Sequence, residues 1–299
     1  PKVKPVKEYL HRSTVEKRKA IGEEVARLLA AEFIQEIYRS ELLTNVVMVP
    51  KKDDSLRMCI NFKHINWACP KDHFPLPRID QIVDSTAGCE RLSFLDAYSG
   101  YHQIRLYAPD EIKTAFITPF GCFCYITMPF GLKNAGATFM RMIQKCLLTQ
   151  ISRNVEAYMD DIVVKSRKGS DLLTDLAETF ANLRRYDIKL NPSKCTLGVP
   201  GGKLLGFLVS ERGIDANPEK VGTILRMKRP VRVHDFQKLT GCLAALSRFI
   251  SRLGEKALPL YRLMKKSDKF EWTPEADAAF AELKTLLSTQ PVLAAPINK

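Results

Sequence analysis

Residues 155–164, with the sequence VEAYMDDIVV, decide the fold. Asp160 and Asp161 stand between two short apolar runs, which predicts a β-hairpin with Met159 and Asp160 at its tip. Neighbouring side chains of a regular strand point to opposite faces, but a tight turn can bring both carboxylates to one edge, and Asp is common in turns. An isolated Asp pair also suits a solvated acidic turn, so the hairpin needs further support. We expect strained backbone near Met159 if the turn holds a site.

Two other stretches give that support. Residues 92–104, LSFLDAYSGYHQI, predict an apolar strand that ends at Asp96 and is followed by small residues. A third carboxylate beside the hairpin would make a cluster of oxygen ligands without His or Cys, which suits Mg²⁺ or Mn²⁺ rather than zinc. Residues 128–139, MPFGLKNAGATF, run from a Pro/Gly turn into a helix start, where free backbone N–H groups can hold phosphates.

Composition limits the class of protein. The 299 residues are long enough for two ordinary domains, and 45% hydrophobic and 26% charged residues are typical of a soluble globular protein. The net charge of +13 favours a polyanionic partner. The eight cysteines lack zinc spacing, so we interpret them as buried, reduced thiols. No apolar run reaches the roughly 18 residues of a membrane span, and no signal peptide is expected.

Several segments predict secondary structure by their periodicity and turn residues. We expect helices over residues 19–38, 79–86, 135–149, 171–186, 218–227, 233–250 and 274–287, and a further helix that extends to residue 263. We expect one hairpin from residues 46–50 and 56–60 and another from 113–118 and 122–127. A third hairpin is predicted to turn at residues 200–202 and to continue as a strand over 203–209.

Taken in this order, the motifs resemble those of reverse transcriptases, in particular the polymerase of Gypsy-type (Metaviridae) long-terminal-repeat retrotransposons of plants. The resemblance covers nearly the whole chain, through residues 69–80 (CPKDHFPLPRID), 190–195 (LNPSKC), 205–207 (LGF) and 270–273 (FEWT). It implies an α+β right-hand polymerase with fingers, palm and thumb, in which helices back an antiparallel palm sheet.

The resemblance also implies a division of the chain. Residues 1–71 would form an N-terminal arm and fingers, 72–103 the first part of the palm, and 104–133 the second part of the fingers. Residues 134–212 would complete the palm with the Tyr-Met-Asp-Asp hairpin, and 213–269 would form a helical thumb or connection. Residues 270–299 resemble the truncated start of an RNase H-like domain, and the chain ends before that domain's catalytic carboxylates, so we expect no RNase H activity.

Roles for individual residues follow from the same resemblance. Asp96 and Asp160 would bind two Mg²⁺ ions directly, with Mn²⁺ as a substitute, and Asp161 would support them. The residues implied to contact the nucleoside triphosphate are Lys51, Lys52, Arg57, Ala97, Tyr101, Phe130, Gly131 and Met159. Those implied to contact primer or template are Tyr158, Leu205, Gly206 and Phe207. Without the resemblance, Lys51 and Lys52 are typical of a solvated hairpin tip. Tyr101 is then typical of a core position, and residues 205–207 of an ordinary strand.

Three departures from the family pattern concern the fingers. Asn61 stands at a position that is usually acidic in the family. Lys63-His64 stands where the family usually has Arg or Thr followed by an acidic residue, and Leu42 stands where the family often has Trp. These positions bear on fingers stability or nucleotide affinity and leave the aspartates untouched.

The activity implied is primer extension with deoxynucleoside triphosphates on an RNA or DNA template, from a DNA or tRNA primer. The fragment would belong to a pol polyprotein with protease, RNase H and integrase, in the cytoplasm or in virus-like particles there, without a membrane. The alternative from another class is a catalytically silent remnant that only binds template and primer. A third possibility, RNA-templated RNA synthesis, is distinguished by Tyr101, whose family counterpart excludes a ribose 2′-hydroxyl: Tyr101→Ala should then raise ribonucleotide incorporation.

Overall fold

The computed structural model describes residues 6–50, 56–263, 270–289 and 293. The chain forms two compact units. Unit 1 takes the described residues of Pro1–Pro77, Phe94–Val164 and Leu176–Cys195, and unit 2 those of Arg78–Ser93, Lys165–Asp175 and Thr196–Lys299. Because each unit draws on separated stretches, several elements pass from one unit into the other.

The helices in chain order are α1 (Val15–Ala30), α2 (Lys63–Ala68), α3 (Ile79–Thr86), α4 (Ala108–Glu111), α5 (Ala135–Cys146), α6 (Leu172–Arg185), α7 (Pro218–Arg226), α8 (Val233–Ala244), α9 (Leu253–Lys256), α10 (Leu258–Arg262) and α11 (Pro274–Ser288). The strands are β1 (Ile34–Ile37), β2 (Thr44–Pro50), β3 (Leu56–Ile60), β4 (Arg91–Asp96), β5 (Phe116–Thr118), β6 (Gly121–Tyr125), β7 (Val155–Tyr158), β8 (Asp161–Ser166), β9 (Thr196–Val199), β10 (Gly201–Leu204), β11 (Phe207–Ser210) and β12 (Gly213–Ala216).

Unit 1 contains a five-stranded sheet of order β1-β6-β5-β2-β3, in which β2 and β5 are parallel and the other pairs antiparallel. Helix α1 covers this sheet because its apolar residues recur on one face. Its core consists of Ile21, Val25, Leu28, Ile34, Phe62, Phe116, Phe123 and Tyr125.

The aspartate stretch forms the predicted hairpin in unit 1. Strands β7 and β8 are antiparallel, and their pairing runs from Val155 opposite Val164 to Tyr158 opposite Asp161. Met159 and Asp160 therefore form a two-residue loop. Strand β8 neighbours β4, which ends at Asp96. Helix α5 packs on β7 and buries Phe139 and Ile143. The topology therefore brings the three aspartates to one region.

In unit 2, β10, β11 and β12 form an antiparallel sheet. Helix α7 contacts α8 and α11, and α10 also contacts α11. The large side chains buried in this unit include Ile214, Ile224, Phe236, Leu239, Leu243, Leu260 and Leu283.

Most predicted elements are confirmed, including the helix over 79–86 with its predicted ends. The helix predicted over 19–38 is wrong in its second half, since α1 ends at Ala30 and Ile34–Ile37 is a strand. Glu32 has φ of 54°, and the Phe33 N–H donates to the Leu28 carbonyl at 3.0 Å, which closes the helix. A charged residue in this left-handed conformation gives no sequence signal.

The hairpin predicted to turn at 200–202 is also wrong. Strand β10 pairs with β11 through a loop at Leu205 and Gly206, whereas β9 belongs to the sheet that contains β4. The predicted strand over 203–209 is therefore two strands.

The eight cysteines are free thiols, as expected, but only Cys89, Cys124 and Cys146 are buried. Within the described residues, no helix combines the length and apolar character that a membrane span requires.

Candidate active site

The tip of the β7–β8 hairpin is strained, as predicted. Met159 has φ of 54°, a conformation that costs free energy for a residue other than Gly. Its N–H donates to Met140 Sδ at 2.9 Å, which ties the tip to α5. Such strain persists only where the surrounding structure holds it.

Asp96 is held at the end of β4 by both backbone and side-chain contacts. Its carbonyl accepts the Asn191 N–H at 2.9 Å, and its N–H donates to Cys195 Sγ at 3.4 Å. The next residue, Ala97, donates its N–H to the Asp160 carbonyl at 3.2 Å, which joins β4 to the hairpin tip. Lys194 Nζ lies 3.5 Å from Asp96 Oδ2.

The three carboxylates interact electrostatically. Burial, and then the neighbouring Asp96 and Asp161, raise the pKa of Asp160 to about 6. Partial desolvation by the surrounding protein, and then Asp96, raise the pKa of the more exposed Asp161. Lys194 lowers the pKa of both groups by a smaller amount. The three aspartates therefore carry more negative charge than Lys194 alone neutralises.

This donor set fits a hard divalent cation. Asp160 Oδ1 is buried and has no hydrogen-bond partner among the residues that the structure describes, so it has a free lone pair. Among the described residues, no three His, Cys, Asp or Glu side chains converge on one point as a metal cluster would require. Mg²⁺ usually takes one or two carboxylates and fills its other positions with water and substrate phosphates, so two carboxylates such as Asp96 and Asp160 would be enough protein ligands for such an ion.

Tyr101 lies beside the hairpin tip within an aromatic cluster. Its ring is 4.7 Å from the Phe130 ring and 5.5 Å from the Phe139 ring, measured between centroids. Its hydroxyl donates to Met159 Sδ at 3.7 Å. Burial, followed by Asp160 and Tyr158, raises the pKa of Tyr101, so the phenol stays neutral. The half-exposed face of Phe130 next to it leaves a surface that a flat ligand can cover.

The remaining predicted residues are placed differently. Gly131 has φ of 95° and accepts a hydrogen bond from Asn66 Nδ2 at 2.7 Å, while Arg57 is exposed on β3. Lys51 and Lys52 lie outside the described residues. Leu205, Gly206 and Phe207 belong to unit 2. In unit 1 the structure therefore brings together Asp96, Ala97, Tyr101, Phe130, Tyr158, Met159, Asp160 and Asp161.

Sequence reasoning missed two glycines that shape this site. A Cβ on Gly100 would lie 2.6 Å from Asp160 Oδ1, and a Cβ on Gly136 would lie 2.9 Å from Met159 Cε. Lys194 and Cys195, quoted only as part of a family motif, prove to contact Asp96. These contact partners are 23 to 99 residues apart in sequence, so no local pattern could have indicated them.

A separate cavity of about 1300 Å³ in unit 1 contains none of the three aspartates. Two exposed aromatic side chains, Tyr38 and Tyr107, line it together with Arg39 and Arg105. Exposed rings and guanidinium groups in a groove suit the stacking of unpaired bases.

Comparison with known proteins agrees with this geometry. The model of the family described as reverse transcriptase (RNA-dependent DNA polymerase) matches residues 49–209, which include all three aspartates. The chain belongs to the reverse transcriptase family. The transposon Tf2-3 polyprotein of Schizosaccharomyces pombe is 31% identical over 277 residues, which cover 93% of this chain and 21% of that polyprotein. The transposon Tf2-7 polyprotein of the same organism is 30% identical over the same length.

Solved reverse transcriptase structures have the same fold. The foamy viral protease-reverse transcriptase in complex with an RNA/DNA hybrid superposes with a TM-score of 0.87 and 20% identity over 98% of this chain and 40% of that one. The same type of enzyme in complex with dsDNA gives a TM-score of 0.90 and 21% identity over 99% of this chain and 62% of that one. The expected right-hand polymerase fold is confirmed. The chain spans about a fifth of the length of the transposon polyproteins it matches.

Proposed function

We propose that this chain extends a primer with deoxynucleoside triphosphates on an RNA or DNA template, as the RNA-directed DNA polymerase of a retrotransposon. The observation that carries the proposal is the Asp160 carboxylate in a strained two-residue turn beside Asp96, with one buried oxygen that has no hydrogen-bond partner in the described part of the chain. The plant-like Gypsy type, the other pol domains as partners, and a cytoplasmic or virus-like-particle location belong to the same proposal.

The proposed chemistry is attack of the primer 3′-hydroxyl on the α-phosphate of the nucleotide. Bound Mg²⁺, held by Asp96 and Asp160, would supply positive charge for the attacking and leaving oxygens. Asp161 adds negative charge that favours cation binding, and Lys194 orients Asp96 when no cation is bound. Carboxylates suit this task because they remain unprotonated ligands at neutral pH once a cation faces them.

Substrate selection is assigned to the aromatic cluster. Tyr101, fixed by Phe130, Phe139 and Met159, would pack against the deoxyribose and leave no room for a 2′-hydroxyl. Phe130, Gly131, Ala97 and Met159 would line the nucleotide site, and Lys51, Lys52 and Arg57 would contact the triphosphate through charge-assisted hydrogen bonds. The groove with Tyr38 and Tyr107 would take unpaired template bases.

The arrangement of the chain as fingers, palm and thumb, with the boundaries given above, is part of the same proposal. Tyr158, the loop residues Leu205 and Gly206, and Phe207 at the start of β11 would contact the primer or template. The proposed partners are an RNA template, a DNA or tRNA primer, and the RNA/DNA duplex that polymerisation forms.

Primer extension on poly(rA)–oligo(dT) with Mg²⁺ or Mn²⁺ tests the activity. The native chain should extend the primer, and Asp160→Asn should lower the rate at least 100-fold because it removes a charged ligand. Asp187→Asn is a matched control, since Asp187 is exposed and lies in a left-handed conformation that Asn tolerates.

Equal extension by the native chain and by Asp160→Asn would indicate a contaminating polymerase or a wrong site. No extension by either, with salt-sensitive duplex binding intact, would favour the silent binding remnant. Loss of extension in the Asp187→Asn control would show that the assay reports folding rather than chemistry.

A further inference from the structure

Helix α5 holds the tip of the β7–β8 hairpin at two points that lie one helical turn apart. Gly136 and Met140 are separated by four positions and therefore lie on the same face of the helix. The Met140 side chain is almost fully buried, at 1% exposure, and its sulfur accepts the main-chain N–H of Met159 at 2.9 Å. A thioether is only a weak acceptor, so it is an unusual partner for a main-chain N–H.

Gly136 holds the side chain of the same methionine. A Cβ on residue 136 would lie 2.9 Å from Met159 Cε and 3.0 Å from Met159 Sδ, so the thioether occupies the space that a larger residue would need. Met140 thus contacts the main chain of Met159, and Gly136 makes room for its side chain. The strained tip, where Met159 has φ of 54°, is therefore held both by its backbone and by its thioether.

The thioether of Met159 in turn contacts Tyr101. The Tyr101 hydroxyl donates to Met159 Sδ at 3.7 Å, and a Cβ on residue 136 would lie 3.7 Å from the same hydroxyl. Phe130 and Phe139 pack against the ring of Tyr101, but they carry no acceptor for its hydroxyl. Within the described part of the chain, the sulfur of Met159 is therefore the one hydrogen-bond partner of this hydroxyl.

We propose that Gly136 and Met140 are specificity-determining positioning residues, which hold Met159 so that its sulfur keeps the Tyr101 phenol where it excludes a ribose 2′-hydroxyl. This inference rests on the proposed function, in which Tyr101 packs against the deoxyribose. Rejection of one added hydroxyl requires a side chain whose own position is fixed by its neighbours, because a ring that can turn away admits the larger sugar. The preference for deoxynucleotides then depends on α5, although neither Gly136 nor Met140 is assigned a contact with the nucleotide.

A role in packing alone makes a different prediction for substitutions of Met140. Leu fills nearly the same volume without an acceptor, and exchange of Met for Leu usually costs little stability. Gln supplies an amide oxygen near the position of the sulfur but buries an N–H₂ group that needs partners. If Met140 only fills space, Leu should be the better substitute in every measurement. If its sulfur positions the tip, Gln should be better for nucleotide selection and Leu better for stability.

The first test compares dUTP with UTP on poly(rA)–oligo(dT), since these nucleotides differ only in the 2′-hydroxyl. Met140→Leu should lower the ratio of kcat/KM for dUTP to that for UTP about 3- to 10-fold, the effect of one net hydrogen bond, with little change in thermal unfolding. Met140→Gln should keep this ratio within about twofold of the native value and unfold at a lower temperature. The opposite order of the two variants in selection would overturn the proposal.

Met142→Leu is the matched control for Met140→Leu. Met142 is partly buried on the same helix, and its sulfur accepts no hydrogen bond from a residue that the structure describes. The control should therefore leave the ratio for dUTP over UTP unchanged. An equal loss of selection in both leucine variants would show that any methionine of α5 has this effect, and would overturn the assignment to the contact with Met159.

Gly136→Ala tests the thioether contact separately. Its methyl group would displace Met159 Cε and Sδ without removing the sulfur of Met140, so the ratio for dUTP over UTP should fall about 3- to 10-fold. Tyr101→Phe keeps the ring but removes the hydroxyl and should cause a similar fall. The two changes together should do no more than either alone, because both remove the same contact. Additive effects would show that Gly136 acts by another route and would overturn the proposal.

Methyl NMR measures the position of Met159 without any reaction. The chain has eight methionines, and with labelled methionine methyl groups the signal of Met159 is assigned by its absence in Met159→Leu. Aromatic rings shift the signals of nearby methyl groups, so the Met159 signal should move in Met140→Leu and in Gly136→Ala but not in Met142→Leu. An unmoved Met159 signal in the first two variants would overturn the inference.

Duplex binding distinguishes this role from a general loss of nucleic acid affinity. The affinity for a primer–template duplex is measured by fluorescence anisotropy, and the slope of log K against log salt concentration, the salt slope, reports the number of phosphate contacts. Neither Gly136→Ala nor Met140→Leu removes a charge, so both variants should keep the native affinity and salt slope. Weaker duplex binding by Met140→Leu would place its effect in template–primer binding and overturn the assignment to nucleotide selection.

The proposed function and this inference fail in different ways. If Tyr101→Ala does not raise ribonucleotide incorporation, the selection assigned to Tyr101 is wrong and the inference fails with it. If Tyr101→Ala raises it but neither Gly136→Ala nor Met140→Leu does, the inference alone is refuted. If the native chain extends no primer but the Met159 signal moves as expected, the polymerase activity is refuted and the positioning of Met159 by α5 is supported.

Discussion

Gly100 leaves no room for a side chain beside the Asp160 carboxylate. A Cβ at this position would lie 2.6 Å from Asp160 Oδ1 and 2.9 Å from the Phe139 ring. We expect Gly100→Ala to displace the carboxylate and lower the primer-extension rate at least tenfold. Overpacking against Phe139 should also cost stability, on the order of 1 kcal/mol.

The control for this change is Gly241→Ala in α8. Its Cβ would meet no atom of the described residues within 4 Å, so the variant should keep full activity and gain up to about 1 kcal/mol of stability from helix propensity. Extension rates at saturating duplex and thermal unfolding are the two measurements. Full activity in Gly100→Ala would show that the Asp160 carboxylate does not have to lie against residue 100.

His102 should make stability depend on pH. Its ring stacks on Phe33 with a centroid distance of 4.6 Å and on Tyr125 with 5.7 Å. Burial, and then Arg27, lower the pKa of His102 to about 4, against about 6.5 in an unfolded chain. Between these values the unfolded state binds a proton that the folded state does not, so stability rises with pH across this window and falls as pH drops from 6.5 towards 4.

His102→Phe retains a stacking ring and removes the titration. Between pH 7 and pH 5 the native chain should lose about 1–2 kcal/mol more of its free energy of unfolding than the variant. Urea unfolding at the two pH values measures the difference. The same pH dependence in both proteins would mean that His102 is not held neutral by its surroundings.

At the scale of residues, the sequence indicated the groups that carry chemistry better than the groups that position them. Asp96 and Asp160 follow from strand and turn patterns, and Tyr101 from family resemblance. Gly136, Lys194 and Cys195 have roles set by neighbours that lie far away in sequence. Residue type and spacing hold no information on which distant side chain will approach a backbone.

At the scale of elements, the sequence failed where a non-glycine residue adopts a left-handed conformation. Glu32 ends α1 and Leu205 begins a hairpin loop, and neither type usually signals a turn. Proline and glycine at 200–202 signalled a hairpin turn, but the chain there passes from one sheet to another. Elements with strong periodicity and ordinary ends, such as α3 and α11, were predicted almost to the residue.

The β10–β11 hairpin allows a prediction about this strain. Leu205→Asn suits the positive φ and should stabilise unit 2 by up to about 1 kcal/mol, or leave its stability unchanged where lost apolar contact offsets the gain. Duplex affinity should nevertheless fall, because the variant lacks the leucine side chain that is proposed to contact the primer or template. Thermal unfolding and anisotropy together measure both effects.

Asp187→Gly is the control for backbone relief. Asp187 has φ of 53° at the exposed end of α6, so glycine there should raise stability by about 0.5–1 kcal/mol without a change in duplex affinity. A Leu205→Asn variant with lower stability and native affinity would show that Leu205 is kept for packing.

At the scale of the whole molecule, the charge of +13 overstates the cations available to nucleic acid. The region after residue 213 is rich in Arg and Lys, but the structure engages several of them. Arg248 pairs with Asp84 and lies 3.8 Å from Asp80, and Arg229 stacks on Trp272 and donates to its carbonyl at 3.0 Å. Arg226 and Lys228 are exposed and have no ion pair with a described residue.

These two classes of cation should behave differently when they are neutralised. Arg248→Gln leaves Asp84 without its partner in a partly buried position, so it should cost about 1–3 kcal/mol of stability in unit 2 and leave the salt slope of duplex binding nearly unchanged. Arg226→Gln with Lys228→Gln should leave stability within about 0.5 kcal/mol and reduce the slope by up to about 2.

Anisotropy titrations against salt concentration, combined with thermal unfolding, separate these outcomes. The comparison is informative because both changes remove Arg or Lys charge from the same unit. If net charge alone governed duplex binding, the two variants would lower the salt slope in proportion to the charge that each removes, and the double variant would lower it more. If Arg248→Gln lowers the slope as much per charge as the double variant does, long-range charge governs duplex binding and individual contacts matter little. If it changes stability alone, the structure has correctly divided the basic residues into those that hold unit 2 together and those that face nucleic acid.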